Sequence, residues 1–124
     1  STIWLVNGFI LRISNATHEE QSGYEILKKL NSYKNNKIVK LYNGGIFKYK
    51  HQLFLYQILE NCKGLELFKY IEKNYGKYDI SFVKNTIKNI LLGVKFIHSK
   101  QVIHNDIKLE NIIVQSNGSI KIIS

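Results

Sequence analysis

The hydrophobic pattern of this chain changes period at Gly64, and that change constrains its fold more than any other feature of the 124 residues. Ahead of Gly64 lie short apolar runs bounded by turn residues; behind it, apolar residues recur at helical spacing. Residues 2 to 6 and 9 to 13 read as two strands joined at Asn7-Gly8, a pair that tolerates the positive φ of a tight hairpin turn. Thr17-His18-Glu19-Glu20 has the form of a capping box. In it the Thr17 hydroxyl and the Glu20 carboxylate each satisfy a backbone donor at the start of a helix. Tyr24, Leu27 and Leu30 give that helix its apolar side, and it ends near Asn31. Tyr33 to Lys37 is polar and loop-like. Ile38 to Leu41, Ile46 to Tyr49 and Leu53 to Leu59 read as three strands, with Gly44-Gly45 breaking the first from the second.

After Gly64, Leu65, Leu67, Phe68 and Ile71 support a short helix that stops by Gly76. A longer helix starts after Asp79, a suitable N-cap, because Val83, Ile87, Ile90, Leu91, Val94 and Ile97 share one side of it. Gln101 to Ile103 reads as a strand-like run, and Asn117-Gly118 turns a hairpin with arms Ile112 to Val114 and Ile120 to Ile123. Strands and one helix in front, helices and a hairpin behind, make an α+β layout. No repeat or low-complexity linker interrupts it.

Composition removes several classes. One cysteine, Cys62, excludes an internal disulfide and fits a reducing intracellular setting, cytoplasmic or nuclear. No apolar run approaches the ~18 to 20 residues that span a bilayer, and the N-terminus lacks the basic-then-apolar layout of a secretory signal. There is no Met, even at position 1, which fits a processed or excerpted chain. The net charge of +9 raises the possibility of a basic nucleic-acid-binding domain. Its distribution argues otherwise: the lysines are scattered, and Arg12 is the only arginine, whereas base-reading surfaces lean on Arg for bidentate contacts.

His104-Asn105-Asp106-Ile107-Lys108-Leu109-Glu110-Asn111 carries the chemistry. It sets an acid, a cation and a carboxamide at the spacing that phosphoryl transfer from ATP requires, with Asn111 five residues after Asp106. This stretch resembles the catalytic loop of a protein kinase, H-R-D-x-x-x-x-N. The resemblance extends over nearly the whole chain, from the second strand of the family's small lobe to the strand before its D-F-G motif. It implies a protein kinase-like fold: a sheet-rich small-lobe portion over 1–61, with a hinge at its end, and a partial helical large lobe over 62–124 that holds the catalytic loop at 104–111. In that likeness Asp106 is the base that accepts the proton of the attacking hydroxyl, and Asn111 is a magnesium ligand. Lys108 steadies the charge on the transferred phosphoryl group and marks the Ser/Thr class of kinases.

The resemblance further makes Leu59 the gatekeeper and Glu60, Asn61 and Cys62 the hinge whose backbone meets adenine. Glu66 stands where a ribose-binding acid occurs, and Ile113 lines the nucleotide site. His104, Leu27 and Leu41 match the packed column called the regulatory spine, and His98 reads as a buried or half-buried packing histidine. ATP, magnesium and a protein substrate are the implied ligands.

Departures from the pattern are as informative. Phe9-Ile10-Leu11-Arg12 stands where the family has V-A-I-K, so Arg12 replaces the Lys that holds the α and β phosphates, and Ile10 crowds the adenine pocket. The two cations are not interchangeable, because a planar guanidinium fork is bulkier than a compact ammonium. The helix position expected to carry that cation's partner Glu is Gly23; Glu19 or Glu20 could serve only if the helix shifts, and Glu20 reads first as a cap. Asn105 replaces an Arg that reads a phosphorylated activation loop. Ser124 falls on the metal-binding Asp of D-F-G and offers one neutral oxygen for a carboxylate. The likeness therefore admits two readings: a piece of a Ser/Thr protein kinase, inactive by itself, or a pseudokinase that binds a protein partner as a scaffold. A piece of this kind would leave apolar surface uncovered and dissolve poorly.

Overall fold

The computed structural model describes residues 1–74, 76, 77, 79–100 and 111–123. These form two compact units, one of residues 1–34 and 40–61, the other of 35–39 and 62–124.

The first unit is a four-stranded antiparallel sheet with one helix. Strands β1 (Thr2–Val6) and β2 (Phe9–Asn15) form a hairpin, and α1 (His18–Asn31) follows. Strands β3 (Leu41–Tyr49) and β4 (Gln52–Glu60) complete the sheet in the order β1-β2-β4-β3. Asn7 and Gly8 take φ of 49° and 84°, the left-handed pair that the first hairpin turn needs. The Thr17 hydroxyl accepts from the Glu20 N–H at 3.1 Å, so half of the capping box forms as read. The other half does not: the Glu20 carboxylate turns to Arg12 instead of back to the Thr17 backbone.

Two strands, not three, follow α1 up to Glu60. β3 passes straight through Gly44-Gly45, with a bulge between Leu41 and Asn43, and Ile38 joins only an isolated bridge. The two glycines are there for proximity. A Cβ on Gly44 would sit 2.5 Å from the Tyr24 ring of α1, and one on Gly45 would sit 3.1 Å from Tyr56. Glycine lets another group approach a strand closely, and this use outweighs its weak strand preference. The end of α1 is fastened to β3 by one side chain: Asn31 donates to the Leu27 carbonyl at 3.0 Å and accepts from the Leu41 N–H at 2.9 Å. Leu27, Leu30 and Leu55 are buried in this unit, while Leu41 is half-buried.

In the second unit a short strand, β5 (Leu65–Glu66), runs directly into α2 (Leu67–Lys73); α3 (Ile80–Ser99) follows. Strands β6 (Ile112–Val114) and β7 (Ile120–Ile122) pair antiparallel, and β5 adds to β6. The Asp79 carboxylate caps α3 by accepting from the Ser81 N–H at 2.9 Å. Gly118, with φ of 85°, turns the β6–β7 hairpin as its position after Asn117 implied. The 35–39 segment belongs here: Ile122 donates to the Lys37 carbonyl at 2.7 Å, and Val39 donates to the Ile122 carbonyl at 3.0 Å. Lys37 also donates from Nζ to Asn89 Oδ1 at 3.0 Å, and Asn89 donates to the Gly118 carbonyl at 3.1 Å. Ile97, Ile112, Val114, Ile120 and Ile122 are buried here. His98 is exposed on α3, contrary to the packing role read for it, because Ile97 beside it takes the inward position. Among the described residues no helix is long and apolar enough to cross a membrane.

Candidate active site

Antiparallel register decides which side chains meet in the first unit. Ile10 of β2 lies opposite Leu59 of β4, and Arg12 opposite Gln57. Directly opposed residues project to one face, as do alternate residues along a strand. Ile10, Arg12, Gln57 and Leu59 therefore share a face, with two apolar groups beside one cation. The face is the one α1 packs against, since the close approach of Tyr24 is made through Gly44, the register partner of Gln57.

Arg12 is fixed from across that face. Its Nη1 and Nη2 donate to Glu20 Oε2 and Oε1, both at 3.1 Å, a fork-to-fork pair between strand and helix. Such pairing fixes orientation as well as charge. The side chains are 23% and 34% exposed, so the pair stands at the edge of the core with one side open. A guanidinium carries five N–H donors; among the described residues two go to Glu20, which leaves three for another acceptor. Among the described residues nothing lies within 4 Å of where a Cβ on Gly23 would project, so the helix position expected to supply the acid is bare.

The sequence offers Glu20 as a partner only conditionally and first as a cap, because residue 20 also completes a capping pattern and local patterns do not show tertiary contacts. Gln57 was missed. Its signal is faint but present: a polar residue between Leu55 and Leu59 in a nearly continuous apolar run, here 3% exposed.

At the end of β4, Glu60 ties back to the start of β3. Its N–H donates to the Lys40 carbonyl at 2.9 Å, and its carboxylate accepts from the Lys40 N–H at 3.1 Å. Asn61 and Cys62, the other two residues expected in a hinge, lie past the strand and are half-buried.

In the second unit Glu66 is opposite Ile113 in the β5–β6 register, so these two candidates also share a face. Glu66 occupies the N-cap position of α2, yet its side chain makes no cap bond, which leaves the carboxylate to other uses. Asn111 sits just before β6, where its carbonyl accepts from the Ile123 N–H at 2.8 Å and closes the base of the hairpin. Asp106 and Lys108, with His104, Asn105 and Ser124, lie outside the described residues.

A sequence model of the protein kinase domain matches residues 10–124. The chain belongs to the protein kinase family. It is similar to a probable serine/threonine-protein kinase 2 of Plasmodium falciparum, with 31% identity over 117 residues, covering 92% of this chain and 22% of that protein. Similarity to the 3-phosphoinositide-dependent protein kinase 1 of Arabidopsis thaliana is 33% over 108 residues, covering 86% of the chain and 21% of the relative. For the mitogen-activated protein kinase kinase kinase YODA of the same plant the figures are 31% over 103 residues, 83% and 11%. The chain thus spans about a fifth, or less, of the length of these kinases. Its mixed sheet-and-helix content, with a sheet-rich first part, is that of a kinase-like fold.

Proposed function

We propose that this protein binds ATP with magnesium and transfers the γ-phosphoryl group to Ser or Thr hydroxyls of protein substrates, with the 124 residues supplying part of that machinery. The single observation that carries the reading is the Arg12–Glu20 fork, a cation held between strand and helix with donors left for phosphate oxygens. Ile10 and Leu59, paired beside it, are suited to the apolar faces of a purine, and the backbone of Glu60, Asn61 and Cys62 to its edge. Glu66 is a fitting acceptor for ribose hydroxyls, and Ile113, opposite it, adds apolar contact.

Asp106 takes the proton of the substrate hydroxyl as the new P–O bond forms. Lys108 neutralises charge that develops on the phosphoryl oxygens. The carboxamide oxygen of Asn111 is a hard donor of the kind magnesium accepts. Bound magnesium would draw charge from the phosphates, a service the side chains above do not duplicate. An intracellular setting, where ATP is supplied, belongs to the same reading.

The bare position at Gly23 favours a second reading, a pseudokinase scaffold for a protein partner. Thermal unfolding with and without ATP and magnesium, together with transfer of labelled phosphate to a generic protein substrate, separates them. A ligand that binds only the folded state stabilises it by about 2.7 kcal/mol at a hundredfold excess over its Kd. Stabilisation with transfer supports the kinase; stabilisation alone supports the scaffold. No shift at millimolar ATP would remove both nucleotide roles.

A further inference from the structure

Two departures from the family pattern, Arg at 12 and Gly at 23, look like independent losses in the sequence. The geometry joins them. Glu20 is three residues before Gly23, which on a helix moves the acid back by about 4.5 Å along nearly the same stripe. A lysine offers a single ammonium; an arginine offers a longer fork that takes both oxygens of a carboxylate. With both Nη atoms 3.1 Å from separate Glu20 oxygens, the fork matches the displaced acid.

The new place for the acid has support of its own. Glu20 is in the first turn of α1, where the positive end of the helix dipole favours an anion. Its own backbone N–H is fixed by the Thr17 hydroxyl at 3.1 Å, so the carboxylate springs from a capped turn.

We infer that Glu20 is the positioning residue for the nucleotide-binding cation, relocated from position 23, and that this relocation makes arginine, not lysine, the required residue at 12. The pair is then one compensated change that preserves a phosphate-binding device. The inference rests on the ATP-binding reading above and names what orients its cation. Arg12 acts on the phosphates through its three remaining donors, and Glu20 acts through Arg12.

The test measures the Kd for ATP with magnesium, and the unfolding temperature, in the full protein and in five variants: R12A, R12K, E20Q, R12A/E20Q and E20Q/G23E. Losing a charge-assisted hydrogen bond at a positioned cation should weaken binding about tenfold or more in E20Q. R12K should be as weak as R12A, since an ammonium cannot fork to a carboxylate at position 20. R12A/E20Q should be no weaker than R12A, because coupled residues do not add. E20Q/G23E should stay weak, as an acid at position 23 would start about 4.5 Å further along the helix than the one the fork meets. Binding by E20Q equal to the parent's, with only the unfolding temperature changed, would make the pair a plain staple and overturn the inference. Restoration by Glu at 23, or full binding by R12K, would overturn it also. A parent that itself fails to bind ATP would instead sink the kinase reading together with this one.

Discussion

Gly64 takes φ of 144°, and a Cβ there would collide with the carbonyl oxygen of Val114. Both facts forbid a side chain: the conformation is one that L residues rarely adopt, and the obstacle is backbone, which cannot rotate aside. Gly64→Ala should therefore cost roughly 3 kcal/mol or more, strain and overlap together, measured by urea unfolding. A loss below about 0.5 kcal/mol, the range of an ordinary surface change, would contradict the close approach. In the sequence this glycine could be read only as a break in pattern. That reading was correct about place and silent about cause, since contact with residue 114 depends on how the chain returns. Gly44 teaches the reverse. It too looked like a break, yet it lies inside a continuous strand because the Tyr24 ring occupies the space a side chain would take.

Hairpins show how far local chemistry reaches at the scale of elements. Asn7-Gly8 announced its turn, but the β3–β4 hairpin turns at Lys50-His51 with φ of 49° and 65°, where a non-Gly residue is uncommon and Lys, unlike His, is not among those enriched. The register of Tyr49 with Gln52 closes the loop at two residues and enforces that conformation. Replacing the pair by Asn-Gly in K50N/H51G should raise stability by about 1 kcal/mol, because glycine adopts positive φ without the penalty of a Cβ. Thermal unfolding reads this directly; an unchanged or lower midpoint would mean that Lys50 and His51 make contacts worth more than the strain.

Helices were legible at this scale because their signals are local: Thr17 and Asp79 cap as their positions implied, and apolar spacing set both lengths. β5 was not. Two residues give no period to detect, and Leu65-Glu66 becomes a strand only by pairing with Ile113 and Val114.

Over the whole molecule, much apolar surface is open. Ile80, Ile87 and Leu91 of α3 are 67%, 52% and 62% exposed and, seven and four residues apart, form one stripe. On the sheet, Trp4, Phe9, Phe47 and Tyr49 are exposed too, and all lie on the face opposite Arg12 by register. Patches of this kind drive association. The 124-residue chain should self-associate at micromolar concentration by light scattering, and I87K/L91K should reduce that. The double variant should change unfolding stability by no more than about 0.5 kcal/mol per exposed site. A monodisperse parent would count against the argument.

What the sequence determined by itself was whatever a short window can encode: the N-caps of α1 and α3, two of the hairpin turns and the kinase-like spacing of Asp106, Lys108 and Asn111. Tertiary structure alone decided the rest. It drew 35–39 into the second unit by pairing with Ile122, ran β3 through its glycines, and gave Arg12 to Glu20 rather than to position 23. Each of these outcomes depends on a partner distant in the chain or on an adjacent element's placement, and the physical gain from such a contact exists only after the backbone has brought the two together.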